Sequence, residues 1–382
     1  PGLSDFTGEV VRTAHWPEPG PVLDGRRIGL IGTSASGVQS APHLAEAAAH
    51  LTIFQRTPHY SAPAHNVMLD PARIDAHLAR AETLWEEIVA HPGGTDIPLP
   101  AGRARNFTAA EQLEILEARW AYGAHALGSV FTDQGTDAEV NEIVASYVRG
   151  KIAEKIGTKE LAERVMPTAY PIGTHRLAVD VSYYETFNRD NVTLVSLLDD
   201  PIDRIVPTGV RLRSGRVVEL DLLVLATGFH SITGALYAAT LTGVAGVALR
   251  DHWARGPMAY LGLMTRGFPN LFLPTGPGSP SVLANMFADN EQHIDLAAGV
   301  IEHMAAQGFT TVQPTAEAEE WWRQEMRAVS EPLLRYRVDN YMVHVNADDQ
   351  SRVFMPYPGG FDRFVRACDE VVAAGFEGFE FG

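Results

Sequence analysis

The sequence has 382 residues, 46% of them hydrophobic and 20% charged, a balance that allows a sizeable core and excludes a disordered or fibrous chain. Its formal net charge of -17, with no basic run, excludes binding along a nucleic-acid backbone, which needs clustered Lys and Arg. The lone cysteine, Cys368, excludes an internal disulfide framework and a thiolate zinc site, and no apolar run reaches the roughly 18 residues a membrane helix needs, so a cytoplasmic protein is expected.

The chain opens on Pro1-Gly2 without Met, and the run Trp16-Pro17-Glu18-Pro19-Gly20-Pro21 resists both helix and sheet, so residues 1–21 read as a connector. Order is expected to begin at Arg27-Ile28-Gly29-Leu30-Ile31-Gly32, an apolar strand ending in a glycine turn. Helical spacing follows from Val38 to His50, and Leu51-Thr52-Ile53-Phe54-Gln55 is a second strand, which makes a βαβ unit. From about Pro71 to Met166 the apolar residues recur at three and four residue intervals, which predicts a helical insert. Strands resume at Val192–Val195, Val210–Leu212 and Leu222–Ala226, and Leu271-Phe272-Leu273-Pro274 predicts a further strand leading into a Gly/Pro/Ser loop. Helices over Asn290–Gln307, Ala316–Ala328 and Phe361–Ala374 close the chain.

Gly32-Thr33-Ser34-Ala35-Ser36-Gly37 lies between a strand and a helix, the context in which G-x-G-x-x-G receives a dinucleotide pyrophosphate on backbone N–H groups. Ser34 replaces the middle glycine; its Cβ takes room, while its hydroxyl can donate to phosphate. The second strand ends in Gln55-Arg56-Thr57, and an arginine there suits the 2′-phosphate of NADP, where an acidic residue would mark NAD. The same turn is one residue short of a G-x-S-x-G nucleophile elbow, which would make Ser34 a hydrolase nucleophile. No histidine has a neighbourhood that marks it as a partner, and Arg56 has no role in that reading. The fourteen histidines show no H-E-x-x-H, and His59 with His65 lacks ligand spacing, so no metal is expected.

Phe6-Thr7-Gly8 and then Trp16-Pro17, just before this turn, resemble the F-x-G-x-x-x-H-x-x-x-W-P fingerprint of flavin-dependent Baeyer-Villiger monooxygenases, with Arg12 at the place of the histidine. The resemblance continues in Phe54-Gln55-Arg56-Thr57-Pro58, Tyr170-Pro171-Ile172-Gly173-Thr174-His175-Arg176, Tyr183 to Val192, Ala226-Thr227-Gly228-Phe229, Gly276-Pro277-Gly278-Ser279-Pro280-Ser281 and Val353-Phe354-Met355-Pro356-Tyr357. It implies an α/β fold: a Rossmann-like NADP-binding domain over 22–62 and 174–222, a helical insert over 63–173, and the C-terminal part of an FAD-binding domain over 223–382. In this family a first βαβ turn that holds FAD precedes the fingerprint. Neither that turn nor its aspartate occurs in this sequence, so about 100 to 150 residues are expected upstream, in a fragment or a truncated gene.

The activity the resemblance implies is NADPH- and FAD-dependent insertion of one oxygen atom of O2 beside a ketone carbonyl, through a peroxyflavin, to give an ester or lactone. The catalytic residue it implies is Arg176, which taken alone would read as a surface ion pair. The cofactor-binding set it implies comprises Gly32, Thr33, Ser34, Ala35, Ser36, Gly37, Gln39, Arg56, Thr57, His175, Tyr341 and Met286. His175 stands where the family usually has lysine, so a weaker NADPH preference is expected, recovering as pH falls from about 8 to 6. Tyr341 stands where a tryptophan contacts the nicotinamide side. Two other readings remain open: a related flavin enzyme oxidising sulfur or nitrogen, and an inactive NADP-binding remnant.

Overall fold

The computed structural model describes residues 1–382, which divide into two compact units: Pro1–Val67 with Pro100–Phe229, and Met68–Leu99 with His230–Gly382. The first unit is built on strands β1 (Glu9–Arg12), β2 (Arg27–Ile31), β3 (His50–Gln55), β4 (Ser61–Pro63), β5 (Ala178–Asp180), β6 (Val192–Ser196), β7 (Ile202–Val206), β8 (Gly209–Leu212), β9 (Val217–Glu219) and β10 (Leu222–Leu225). Five of them form one parallel sheet in the order β1-β10-β2-β3-β6, with Leu222 beside Ile28 and Arg27 beside His50. Parallel strands are covered on both faces, which is why β2, β3 and β10 are near-continuous apolar runs rather than alternating ones. Helix α1 (Ala35–Ala47) buries Val38, Ala41, Leu44 and Ala45. Phe6, Phe54, Val195, Leu223 and Leu225 cluster with Ile205, Val210 and Leu212 of the antiparallel β7-β8-β9 sheet.

Two boundaries differ from the sequence expectation. Residues 1–21 are not all connector: Glu9–Arg12 pairs in parallel with Leu222–Leu225 and so closes one edge of the sheet. Leu222–Leu225 in turn lies between β1 and β2 and is fully buried, so the change of unit falls after Phe229 rather than at 223. Arg27 fastens this corner with a two-pronged ion pair to Asp221 (3.1 and 2.8 Å) and a further one to Glu219.

The expected helical insert is helical, over Pro71–Leu78, Ala81–Val89, Ala109–Tyr122, Ala138–Glu154 and Lys159–Val165, but it is shared between the units. The first two of these helices belong to the second unit. Ile88 and Val89 pack on its core, and the loop that follows accepts the Asn285 and Phe361 N–H groups at Gly93 and Pro92. That core gathers Trp322, Tyr357, Phe361, Phe364 and Cys368 between the helices Met286–Gln307, Ala316–Ser330 and Phe361–Ala373. Leu271–Pro274 is not a strand: its N–H groups go to Phe268 and Leu263 carbonyls, and no second strand lies alongside. No helix is long and apolar enough to cross a membrane.

Candidate active site

The turn between β2 and α1 is shaped for an anion by what its glycines leave out. Gly32 sits at φ +108, and a Cβ there would lie 2.2 Å from the Ala226 carbonyl oxygen; a Cβ on Gly37 would lie 2.1 Å from the Gly32 oxygen. Only glycine lets β2, the neighbouring strand's end and α1 approach so closely. Ser34 replaces the middle glycine without strain because its φ is -86, in ordinary extended backbone. It is the N-cap of α1 but its hydroxyl does not cap the helix, so the first-turn N–H groups of Ala35, Ser36 and Gly37 have no intrahelical acceptor. Ser34 is exposed and makes no hydrogen bond to a histidine, Gln39 is exposed further along α1, and Thr33 is buried. This cradle fits a dinucleotide pyrophosphate, and it offers a hydrolase nucleophile no base.

Thr33 ties the turn to the end of β3, its hydroxyl donating to the Thr57 carbonyl at 3.0 Å. Arg56, the residue before, is exposed and has no carboxylate partner, unlike Arg26 and Arg27 at the opposite end of the sheet. A guanidinium left unpaired at this strand end fits a phosphate dianion.

The return from the insert brings His175 and Arg176 into the same unit, just before β5. Arg176 is exposed, and its guanidinium enters no ion pair or hydrogen bond. Its backbone is not free: the carbonyl is 2.9 Å from Nε2 of buried His59, whose Nδ1 is 2.8 Å from the Tyr170 hydroxyl. A carbonyl only accepts, so Nε2 of His59 carries the proton and Nδ1 accepts from Tyr170. Burial pushes the His59 pKa down to about 4, with the Arg176 carbonyl opposing and His175 adding slightly, so the ring is neutral at physiological pH. The Tyr170 ring also packs on His175, centroids 4.3 Å apart. His59 and Tyr170 are absent from the sequence-derived site, and no local signal marks them, since their partners lie 111 and 117 positions along the chain.

Burial holds the His175 pKa below the ordinary histidine value. If His175 contacts the 2′-phosphate, the acid recovery of NADPH preference is therefore shifted to lower pH than the sequence alone suggests. The ratio of kcat/KM for NADPH over NADH should be flat above about pH 7 and rise toward acid, at lower pH than an ordinary histidine would give. A His175→Lys enzyme should show a roughly tenfold higher ratio at pH 7.5 and lose the acid rise, because a lysine ammonium stays charged throughout. Steady-state kinetics with both nucleotides check this; an unchanged ratio in the lysine variant removes His175 from the phosphate site.

Tyr341 and Met286 belong to the second unit. Tyr341 is half-buried against Met342, Val343 and Phe354, alongside Val282 and Leu283 of the Gly/Pro/Ser loop. Met286 opens the helix Met286–Gln307 and is 42% exposed, directly after Asn285, whose side chain caps that helix at the Phe287 N–H. Buried Asp289 fixes the loop by accepting the Ser281 N–H at 2.9 Å, with Ser281 held at φ 46. Met286, exposed where this loop runs into its helix, is an adaptable apolar side chain that fits contact with the edge of a flavin ring. No group of three or more His, Cys, Asp or Glu side chains suited to a metal is present.

No family model matches the chain. Among curated proteins it is 33% identical to an acetone monooxygenase (methyl acetate-forming) of a Gordonia species, over 99% of this chain and 71% of that protein. It is 32% identical to a Baeyer-Villiger monooxygenase of Pseudooceanicola batsensis (98% and 68% covered) and 30% identical to a phenazine N-monooxygenase of Lysobacter antibioticus (99% and 70%). Among solved structures it superposes over its whole length on 71% of a steroid monooxygenase bound to NADP, at TM-score 0.93 and 38% identity. It likewise covers 72% of OTEMO in complex with FAD and NADP, at TM-score 0.94 and 30% identity.

Proposed function

The chain belongs to the flavin-dependent Baeyer-Villiger monooxygenases, and from that premise we propose that Arg176 carries the oxygenation and that the Gly32–Gly37 turn, Arg56 and His175 hold NADP. The reaction is NADPH- and FAD-dependent: one atom of O2 enters beside a ketone carbonyl to give an ester or lactone. FAD, when bound, supplies the chemistry that activates O2 once NADPH has reduced it.

What the chain's own residues do follows from their chemistry. Backbone N–H groups at the start of α1 receive the NADP pyrophosphate, with Ser34, Ser36 and Gln39 as polar neighbours. Arg56 and Thr57, tied to that turn through Thr33, take the 2′-phosphate together with His175. Oxygen insertion at a ketone passes through a stage in which negative charge collects on the former carbonyl oxygen. A guanidinium is cationic at every accessible pH and offers several N–H donors in a fixed fork. The single observation that carries this reading is that Arg176 keeps all those donors uncommitted while its backbone is held. Tyr341 and Met286 are proposed contacts of the nicotinamide and flavin sides. Ketones are the proposed substrate class, and the cytoplasm is the proposed location.

Labelled oxygen tests the reaction. The complete enzyme with FAD, NADPH and a simple ketone under 18O2 should place one heavy atom in the ester, at the bridging oxygen. A second reading rests on the N-monooxygenase relative, which is as similar as several ketone oxidisers. Label appearing in an N-oxide or sulfoxide from mixed substrates, with none in ester, would favour it.

A further inference from the structure

We propose that His59 and Tyr170 form a positioning pair that sets the backbone of His175-Arg176 and so couples the NADP-phosphate contact to the oxygenation arginine. This rests on the roles proposed above for those two residues. His59 is 7% exposed and its ring nitrogens are both engaged, Nε2–H donating to the Arg176 carbonyl at 2.9 Å and Nδ1 accepting the Tyr170 hydroxyl at 2.8 Å. Only one tautomer satisfies both partners: the Arg176 carbonyl can only accept, which places the proton on Nε2, and the Tyr170 hydroxyl holds that tautomer by donating to Nδ1.

The pair is itself anchored. The Tyr184 hydroxyl donates to the His59 carbonyl at 2.9 Å, and the Tyr60 ring meets Tyr170 edge-on at 5.7 Å while its hydroxyl accepts from Arg149 at 2.9 Å. Tyr170 therefore packs on His175 with its ring and reaches Arg176 only through His59. A guanidinium with no partner of its own must be aimed by its backbone, and this pair is the only side-chain grip the structure gives the Arg176 main chain. His59 also lies two residues after Thr57, whose carbonyl accepts the hydroxyl of Thr33 in the cofactor turn. One short segment thus holds the phosphate cradle at one end and Arg176 at the other.

The test uses His59→Ala, His59→Gln, Tyr170→Phe and Arg176→Ala in the complete FAD-loaded enzyme, with amide hydrogen exchange as a readout independent of turnover. In His59→Ala the amides of 174–178 should exchange roughly tenfold faster without cofactor. Ester formed per NADPH should fall roughly tenfold. The missing fraction should appear as peroxide, NADPH, H+ and O2 becoming NADP+ and H2O2, while flavin reduction by NADPH stays within about twofold. Tyr170→Phe should show the same changes, and His59→Gln should restore both, since an amide supplies one donor and one acceptor as neutral imidazole does. If His59→Ala does not fold, Tyr170→Phe, which keeps both rings, decides. Unchanged exchange and unchanged coupling in a folded His59→Ala or Tyr170→Phe enzyme overturn the proposal, as does loss that glutamine fails to restore. Should Arg176→Ala itself keep normal coupling, the assignment of Arg176 is what has failed.

Discussion

An Arg176→Ala enzyme should bind NADP and have its flavin reduced at close to the normal rate, yet form ester roughly a thousandfold more slowly, about 4 kcal/mol of barrier. The guanidinium has no carboxylate to neutralise it and no structural hydrogen bond to lose, so its removal should leave the fold intact and, on the role proposed for it, subtract only what it would give to a developing oxyanion. Reduction of the flavin involves no such anion on the ketone and should be spared. Arg176→Lys should recover a small part, because an ammonium keeps the charge but not the planar fork. Rapid-mixing absorbance at the flavin band measures the first half of the reaction and chromatography of the ester the second. Ester at more than about a tenth of the normal rate would remove Arg176 from the chemistry.

The second large effect lies at Gly37. Substituting alanine puts a Cβ 2.1 Å from the Gly32 oxygen and 2.9 Å from its carbon, both backbone atoms. Neither side can yield cheaply: β2 is locked between β10 and β3, and α1 is pinned by buried Val38 and Ala41. Gly37→Ala should cost about 3 kcal/mol of stability. It should also weaken NADP+ binding by roughly a hundredfold, because the first-turn N–H groups are displaced from the cradle. Thermal denaturation and calorimetric titration with NADP+ check the two effects; a variant with unchanged melting and unchanged affinity would mean that the turn does not hold the dinucleotide.

How far the sequence reveals this site depends on how local each signal is. The β2–turn–α1–β3 unit is readable because apolar period, glycine spacing and the arginine at the strand end all lie within about thirty residues. Glu9–Arg12 is not, since four residues between Gly8 and a proline-rich run become a strand only when β10 supplies the ladder. Leu271–Pro274 shows the reverse: it is apolar enough for a strand but has none beside it. The strand over Leu222–Leu225 is legible, while its place in the sheet is not, because burial on both faces says nothing about which strands are the neighbours. Arg176 and His175 are visible only through a family pattern. His59 looks like one more histidine until the fold brings Tyr170 and the Arg176 carbonyl to its two nitrogens.

The chain passes between the two units three times, after Val67, before Pro100 and after Phe229. A hybrid enzyme that borrows its first unit from a relative therefore cannot be made with a single splice. It must exchange Pro1–Val67 and Pro100–Phe229 together while keeping Met68–Leu99 with the recipient, whose core receives Ile88 and Val89. A graft cut at residue 222 would strip the sheet of its β10 strand and leave β1 and β2 without the neighbour they share.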